Sequence, residues 1–382
     1  MHYFISAGEA SGDLHAAELI RELKRADNDA RFSFLGGDLM AEAAQCAPII
    51  HYREMAFMGF SEVLRNIFKI LGNLRRSTDA LKASNADALI LVDYPSFNLK
   101  LAKKAVEYGI PVYYFIPPKV WAWKEYRVKT MRKLIRKIFA IFPFEPDFYS
   151  RHGMNVAYVG NPSVEETKRQ IENAPSRADF LAKHSLSPDK PILALVPGSR
   201  RGEIKCNLPI MEQVAARYPD MQPVIAAAPG IDKSLYKQYS SAKTVDSATL
   251  PLMIHAEAAL VTSGTATLEC ALASTPQIVC YRANGSKLSY NIMKRILKIP
   301  FVSLPNLIAA REVIPEMLVH LCTPEAISSK LDDILPGAAG RQMQLDGYKL
   351  IRQRLGDGNA AVNTARAIVD DLQNQTHQPK TR

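Results

Sequence analysis

Short β-branched or aromatic runs alternate with segments of helical period from the first residue onward, which predicts an α/β protein made of βαβ units on a parallel sheet. The alternation restarts after a polar interval, so two doubly wound, Rossmann-like sheets in tandem are expected, with a central cleft between them. The length agrees: 382 residues exceed the roughly 150 residues that one domain usually takes. A hydrophobic share of 47% and a charged share of 23% fit a folded chain and exclude a disordered or fibrous one.

In the first series, residues 3–6, 32–35, 88–92, 112–115, 137–142 and 156–159 read as buried strands, each ended by Gly, Pro or a short polar residue. These six make one open sheet. Gly160-Asn161-Pro162 closes the series, and the chain stays polar to Lys190. A second series follows at 192–196, 223–227, 243–245, 258–261 and 277–280. Beyond residue 340, Leu345, Tyr348, Ile351, Leu355 and Ile368 recur at helical spacing. The expected division is therefore 1–165, 185–340 and a helical tail, 341–382, that returns to the first domain or crosses to a partner chain, which leaves a homodimer open.

Five cysteines lie far apart, without a CxxC pair or clustered histidines, so neither a disulfide framework nor a zinc site is read from the spacing. The first residues lack a basic stretch followed by a long apolar run, and no run approaches the roughly 18 apolar residues of a spanning helix. A cytoplasmic protein is expected. The net charge of +10 favours an anionic partner: nucleic acid, acidic lipid or a phosphorylated substrate.

In such sheets ligands sit at the carboxyl ends of strands, so the loops there carry the candidates. Ser263-Gly264-Thr265-Ala266-Thr267-Leu268-Glu269 reads as a small-residue turn opening a helix, whose N–H groups and hydroxyls can cradle a diphosphate, with Glu269 placed for ribose hydroxyls. An ordinary N-cap with a helical Glu reads the same way. Pro197-Gly198-Ser199-Arg200 follows another apolar strand and offers a guanidinium for bidentate phosphate contact. Together the two turns favour a nucleotide diphosphate; neither matches the P-loop or the GxGxxG fingerprint. The first loop brings Gly8 and Gly12 for close backbone approach, with Glu9, Ser11 and Asp13 as polar side chains for the cleft.

Asp93 stands directly after the apolar run 88–92, with Tyr94-Pro95 turning the chain. A carboxylate there can accept a proton from an incoming hydroxyl; it can equally cap the following helix. Between residues 57 and 76, Phe60, Leu64, Phe68 and Leu71 share a helical face, with Arg and Lys on others. That suits either a core-facing helix or an interfacial one. Residues 124–137 hold seven basic residues against one acidic, directly after Trp121-Ala122-Trp123, which suits a membrane interface or single-stranded nucleic acid.

Ser6-Ala-Gly-Glu-Ala-Ser-Gly-Asp13, Met55-Ala-Phe-Met-Gly59, Asp93-Tyr-Pro-Ser-Phe-Asn98, Val120-Trp-Ala-Trp123, Phe142-Pro-Phe-Glu145, Leu195-Val-Pro-Gly-Ser-Arg200, Ser263-Gly-Thr-Ala-Thr-Leu-Glu269 and Val302-Ser-Leu-Pro-Asn-Leu307 occur in one order across nearly the whole chain. In that order the sequence resembles the lipid-A-disaccharide synthase family. The resemblance implies a GT-B glycosyltransferase, its first domain facing acceptor and membrane and its second binding the UDP-sugar donor. The implied reaction joins UDP-2,3-diacylglucosamine to 2,3-diacylglucosamine 1-phosphate in a β-1,6 linkage and releases UDP, at the cytoplasmic face of the inner membrane. It implies a general-base role for Asp93, phosphate contact by Arg200, UDP contacts by Ser263, Thr265, Thr267 and Glu269, and donor-site places for Asn306 and Glu316. With no acidic metal-ligand pair beside the diphosphate turn, no metal or other cofactor is expected. Ser96, Asn161 and Lys119 depart from the family pattern and bear on fine specificity. The rival readings are a soluble UDP-N-acetylglucosamine 2-epimerase-like enzyme of the same architecture and a basic nucleic-acid-binding protein; nucleic acid is not the expected partner.

Overall fold

The computed structural model describes residues 1–55, 67–282 and 299–376. Two compact units form, Met1–Pro162 rejoined from Gly358 onward, and Ser163–Asp357.

The first unit is an all-parallel seven-stranded sheet in the order β3-β2-β1-β4-β5-β6-β7. Its elements run β1 (His2–Ala7), α1 (Ala10–Ala26), β2 (Arg31–Gly36), α2 (Asp38–Ala44), β3 (Ile50–His51), α3 (Ile67–Ser84), β4 (Ala88–Val92), α4 (Pro95–Glu107), β5 (Val112–Phe115), α5 (Val128–Leu134), β6 (Lys137–Ala140), α6 (Glu145–Arg151) and β7 (Val156–Tyr158). Strand residues alternate between two cores, one on each face. Tyr3, Ile5, Ala7, Ala88, Ile90 and Val92 pack on one side, and Phe4, Leu89, Leu91, Val112 and Tyr114 on the other. Burial on both faces is why these strands read as unbroken apolar runs.

The second unit repeats the plan with six parallel strands, β10-β9-β8-β11-β12-β13. It comprises α7 (Pro162–Glu172), α8 (Arg177–Lys183), β8 (Ile192–Val196), α9 (Arg201–Ala215), β9 (Gln222–Ala227), α10 (Lys233–Lys237), β10 (Lys243–Asp246), α11 (Thr249–His255), β11 (Ala256–Val261), α12 (Thr265–Leu272), β12 (Gln277–Tyr281), α13 (Leu304–Ala309), β13 (Glu316–Leu318), α14 (Pro324–Asp332) and α15 (Ala339–Leu355). Here too Leu193 and Leu195 enter one core while Ile192, Ala194 and Val196 enter the other.

The sequence division shifts in two places. The polar stretch before residue 185 is no linker: α7 and α8 belong to the second unit, where Phe180 and Leu181 are buried. The expected tail splits in two. Its first helix, α15, is fixed to β12 inside the second unit, Gln344 exchanging hydrogen bonds with the Gln277 backbone (2.9 and 3.0 Å) and Tyr348 donating to the Thr275 carbonyl. The second, α16 (Ala360–Thr376), returns to the first unit. There Ala365, Ile368, Val369 and Leu372 join the core around α1, and Asp371 accepts from Arg136 and from the Tyr113 hydroxyl. The return passes Gly160, at φ +98°, where a Cβ would lie 2.2 Å from the Gly358 carbonyl oxygen; only glycine allows this crossing.

Candidate functional site

In both sheets the strand order reverses beside the first strand, between β1 and β4 in one unit and between β8 and β11 in the other. Ligands bind outside strand carboxyl ends at such points. The four loops found there are 8–9, 93–94, 197–200 and 262–264, the same loops singled out in the sequence.

In the first unit, Asp93 and Tyr94 follow β4 with φ of +46° and +47°, a left-handed pair at non-glycine residues, which side chains disfavour. The turn is held from behind. Asn98 Nδ2 donates to the Asp93 carbonyl at 2.7 Å and to those of Val92 and Ser6 at 3.3 Å, while its Oδ1 accepts from Ser6 Oγ at 2.7 Å. The Tyr114 hydroxyl also donates to the Asp93 carbonyl, at 2.8 Å. Tyr94 donates its hydroxyl to the Met55 carbonyl, and its ring lies where a Cβ on Gly8 would be, 2.3 Å away. Asp93 does not cap α4; Tyr94 takes that position without a side-chain bond. Half-buried, the Asp93 carboxyl is pushed above the usual aspartate range by burial, against the pull of the Tyr94 N–H and Lys119.

Glu9 and Ser11 flank this turn at the start of α1, Glu9 half-buried and Ser11 exposed. Asp13 does not face the site. It is buried and accepts the N–H groups of Gly37 (2.7 Å), Leu39 and Met40 (both 3.2 Å), satisfying the start of α2.

In the second unit the turn after β11 is small and open. Gly264 caps α12, with no atom of the described residues within 4 Å of where its Cβ would be. Ser263 donates to the Val302 carbonyl at 3.2 Å, and Thr265 is exposed. Thr267 is buried and spends its hydroxyl on the Gly264 carbonyl at 2.8 Å, so it holds the turn's shape and is withdrawn as a ligand contact. Glu269 is half-buried, and burial alone raises its pKa. Beside this turn, Glu203 Oε2 accepts from the Ser199 and Arg200 N–H groups (3.0 and 3.2 Å), and Oε1 accepts from the Arg200 guanidinium at 3.0 Å. The Arg200 side chain is otherwise 80% exposed.

Asn306 and Glu316 form one internal network. The Asn306 amide, fully buried, donates to the Ile314 carbonyl and Glu316 and accepts from Val313 and Ile314. Glu316 Oε1 accepts from the Ser303 N–H and hydroxyl besides. Asn306 therefore has no capacity left for a donor sugar and shapes the 302–306 loop instead; Glu316 keeps part of Oε2, which accepts from the Val302 N–H.

Three side chains that hold these loops carried no role in the sequence reading: Asn98, Glu203 and Glu145. Glu145 is fully buried and accepts from the Ile141 and Phe142 N–H groups (both 3.0 Å) and Trp121 Nε1 (2.9 Å); burial pushes its pKa up to about 7. Asn98 and Glu145 each end a motif quoted above, a signal of place but not of partner. Trp121, edge-on to Phe142 and Phe144, is thus a structural residue. Trp123 is exposed, with the Lys124 ammonium 3.9 Å from its ring centre.

Two parallel sheets of this order in tandem define the GT-B class of fold. The UDP-GlcNAc 2-epimerase of Neisseria meningitidis, solved bound to UDP-GlcNAc, superposes with a TM-score of 0.64 at 15% identity over 98% of this chain and 100% of that one. CalG4, the calicheamicin glycosyltransferase, gives 0.58 at 14% identity over 99% of each chain. At such identities the likeness is one of fold. The lipid-A-disaccharide synthetase family model matches residues 3–368. The lipid-A-disaccharide synthase of Myxococcus xanthus (strain DK1622) is 38% identical over 381 residues, covering 96% of this chain and 97% of that protein; that of Geobacter sulfurreducens is 33% identical over 380 residues and 97% of each. The chain belongs to the lipid-A-disaccharide synthase family and is a glycosyltransferase of lipid A biosynthesis. The epimerase alternative shares the fold and gains no further support.

Proposed function

We propose that the chain joins UDP-2,3-diacylglucosamine to 2,3-diacylglucosamine 1-phosphate through a β-1,6 linkage, releasing UDP. The observation that carries the reading is the Asp93 turn, a carboxylate held at the switch point and free of any capping duty. Asp93 takes the proton of the acceptor 6-hydroxyl as that oxygen attacks the anomeric carbon, opposite the departing UDP. Glu9 and Ser11 serve the acceptor side. Ser263, Thr265 and the first N–H groups of α12 meet the leaving diphosphate, Glu269 meets the ribose, and Arg200 swings from Glu203 to the phosphates. These donors replace a metal ion. Incubation with both lipid substrates in the presence of a chelator, with mass spectrometry of the product, tests this: a disaccharide 1-phosphate is expected, and restoration of activity only by Mg²⁺ would overturn the metal-free chemistry.

The same reading places the enzyme peripherally on the cytoplasmic face of the inner membrane. No described helix is long and apolar enough to cross a membrane. Phe60 and Leu64 lie outside the described residues, but Phe68 is 85% and Leu71 50% exposed on α3, so this face is not core. Lys129, Arg132, Lys133, Arg151 and His152 line a cavity of about 570 Å³ in the same unit, a basic surface for anionic head groups. Vesicle co-sedimentation decides it. Phe68→Ser with Leu71→Ser should weaken binding without loss of fold, and undiminished binding would remove α3 from the interface.

A further inference from the structure

Two consecutive non-glycine residues in the left-handed region, which side chains disfavour, persist only where surrounding structure over-determines them. What over-determines Asp93 and Tyr94 is specific. The Asp93 carbonyl, turned inward, receives two donors, Asn98 Nδ2 at 2.7 Å and Tyr114 OH at 2.8 Å. Asn98 sits four residues into the same segment, fully buried, and its amide also closes onto Ser6 and Val92 at the ends of β1 and β4. One side chain therefore ties the two strands at the switch point to the turn between sheet and α4. With the backbone of the turn held in this conformation, the Cα–Cβ bond of Asp93 has one direction, and the carboxylate keeps only its rotamer freedom about it.

We propose that Asn98, assisted by Tyr114, is a positioning residue for the transfer reaction: it locks the left-handed turn and thereby fixes where the Asp93 carboxylate stands. Neither residue touches substrate in this assignment. The inference rests on the reading of Asp93 as base for its effect on turnover, but not for its effect on the carboxylate itself. Asn98→Asp keeps the size and replaces the Nδ2 donor, which now serves three carbonyls, with a second acceptor. If the turn relaxes, the Asp93 carboxyl leaves its half-buried place and titrates nearer an ordinary aspartate. Lys119 is the charged group acting on it.

The test uses the full chain labelled with ¹³C at aspartate carboxyls, the Asp93 resonance being assigned by its loss in Asp93→Asn. In the native chain its midpoint should lie above that of exposed aspartates; in Asn98→Ala it should move down toward them, and in Tyr114→Phe by less, while Asn98→Asp is read by turnover alone, because its new carboxylate would itself raise the Asp93 midpoint. Turnover should fall about 10²-fold for Asn98→Ala, as for a misplaced reacting group, with UDP affinity unchanged. Should the Asn98 variants not fold, Tyr114→Phe retains the buried ring and reads the same clamp. A native midpoint kept in whichever of Asn98→Ala and Tyr114→Phe folds, with only thermal stability lowered, would overturn the proposal and leave Asn98 a structural residue. Failure of the base reading looks different: Asp93→Asn would then keep its turnover while the Asp93 titration still moved in Asn98→Ala.

Discussion

The two switch-point turns have the same address in the same strand order and opposite constructions. After β4 the backbone is strained and its inward carbonyl satisfied twice over by Asn98 and Tyr114, while the carboxylate of the same residue answers only to the Tyr94 N–H and Lys119 among the described residues. After β11 the turn is open space around Gly264, and Glu269 is held back from ionising by burial alone. The difference matches the roles proposed for the two turns. A base has to stand within hydrogen-bond reach of one proton, so under that proposal its support is complete before substrate arrives. A diphosphate is held by several donors at once; here Ser263 and Arg200 rest on exchangeable partners, the Val302 carbonyl and Glu203, which a diphosphate would have to displace.

The largest expected effect breaks the first half of that comparison. Asp93→Asn should reduce turnover by ~10² to 10⁴, the usual contribution of a general base, while calorimetry finds UDP affinity unaltered. Because burial raises the Asp93 pKa, and only the ionised form accepts the proton, kcat/KM should rise with pH through a limb above the ordinary aspartate value. Near-native turnover in the variant would move the base to Glu9.

A smaller effect addresses the open turn. Arg200→Ala and Glu269→Gln should each weaken UDP binding about tenfold, the loss of one charge-assisted hydrogen bond, with little change in the titration of Asp93. Ribose hydroxyls bond best to the ionised Glu269, whose pKa is raised by burial, so UDP affinity should increase as pH rises through it. An affinity indifferent to pH and to both substitutions would leave the α12 turn as an ordinary helix start.

The chain makes most of this architecture legible. Eleven strands read from apolar runs fall where the sheets have them, because burial on both faces leaves no polar residue to interrupt a run. The two missed, β3 and β13, have only two and three residues and sit at sheet edges, too short for any period to show. The loops after β1, β4, β8 and β11 were legible because strand ends are marked by small and polar residues. Which side chains in them face a ligand was not. Asp13, Thr267 and Asn306 look like site residues in sequence, yet their partners are backbone groups from 3 to 27 positions away, joined for Asn306 by the Glu316 carboxylate, and no local pattern records such a partner. The tail misled for the same reason: α15 and α16 have similar apolar spacing, but Gln344 and Tyr348 find β12 while Asp371 finds Arg136.

The smallest expected effect sharpens the contrast between a group satisfied in advance and one left waiting. Glu145 and Glu269 are both carboxyls raised by burial, but Glu145 already accepts three donors, among them the Trp121 indole. Its folded pKa of about 7 lies above the ordinary glutamate value of 4.5, so between those values the folded state binds the proton that the unfolded state has lost. Stability contributed by the protonated group is thus full below about pH 4.5 and is lost as pH rises through about 7. Glu145→Gln carries no such proton, keeps one oxygen for these donors, and should flatten the fall in thermal midpoint across that window. Its NH₂ brings a cost, since it replaces one of the two acceptors: with the amide oxygen on the Ile141 and Phe142 N–H groups, the Trp121 indole N–H faces a donor. The variant should therefore be less stable than the native chain at low pH and should close part of that gap at high pH. A native slope unchanged by the substitution would show that the three donors, and not burial, govern Glu145, and that the first unit holds this carboxylate ionised in advance just as it holds its strained turn.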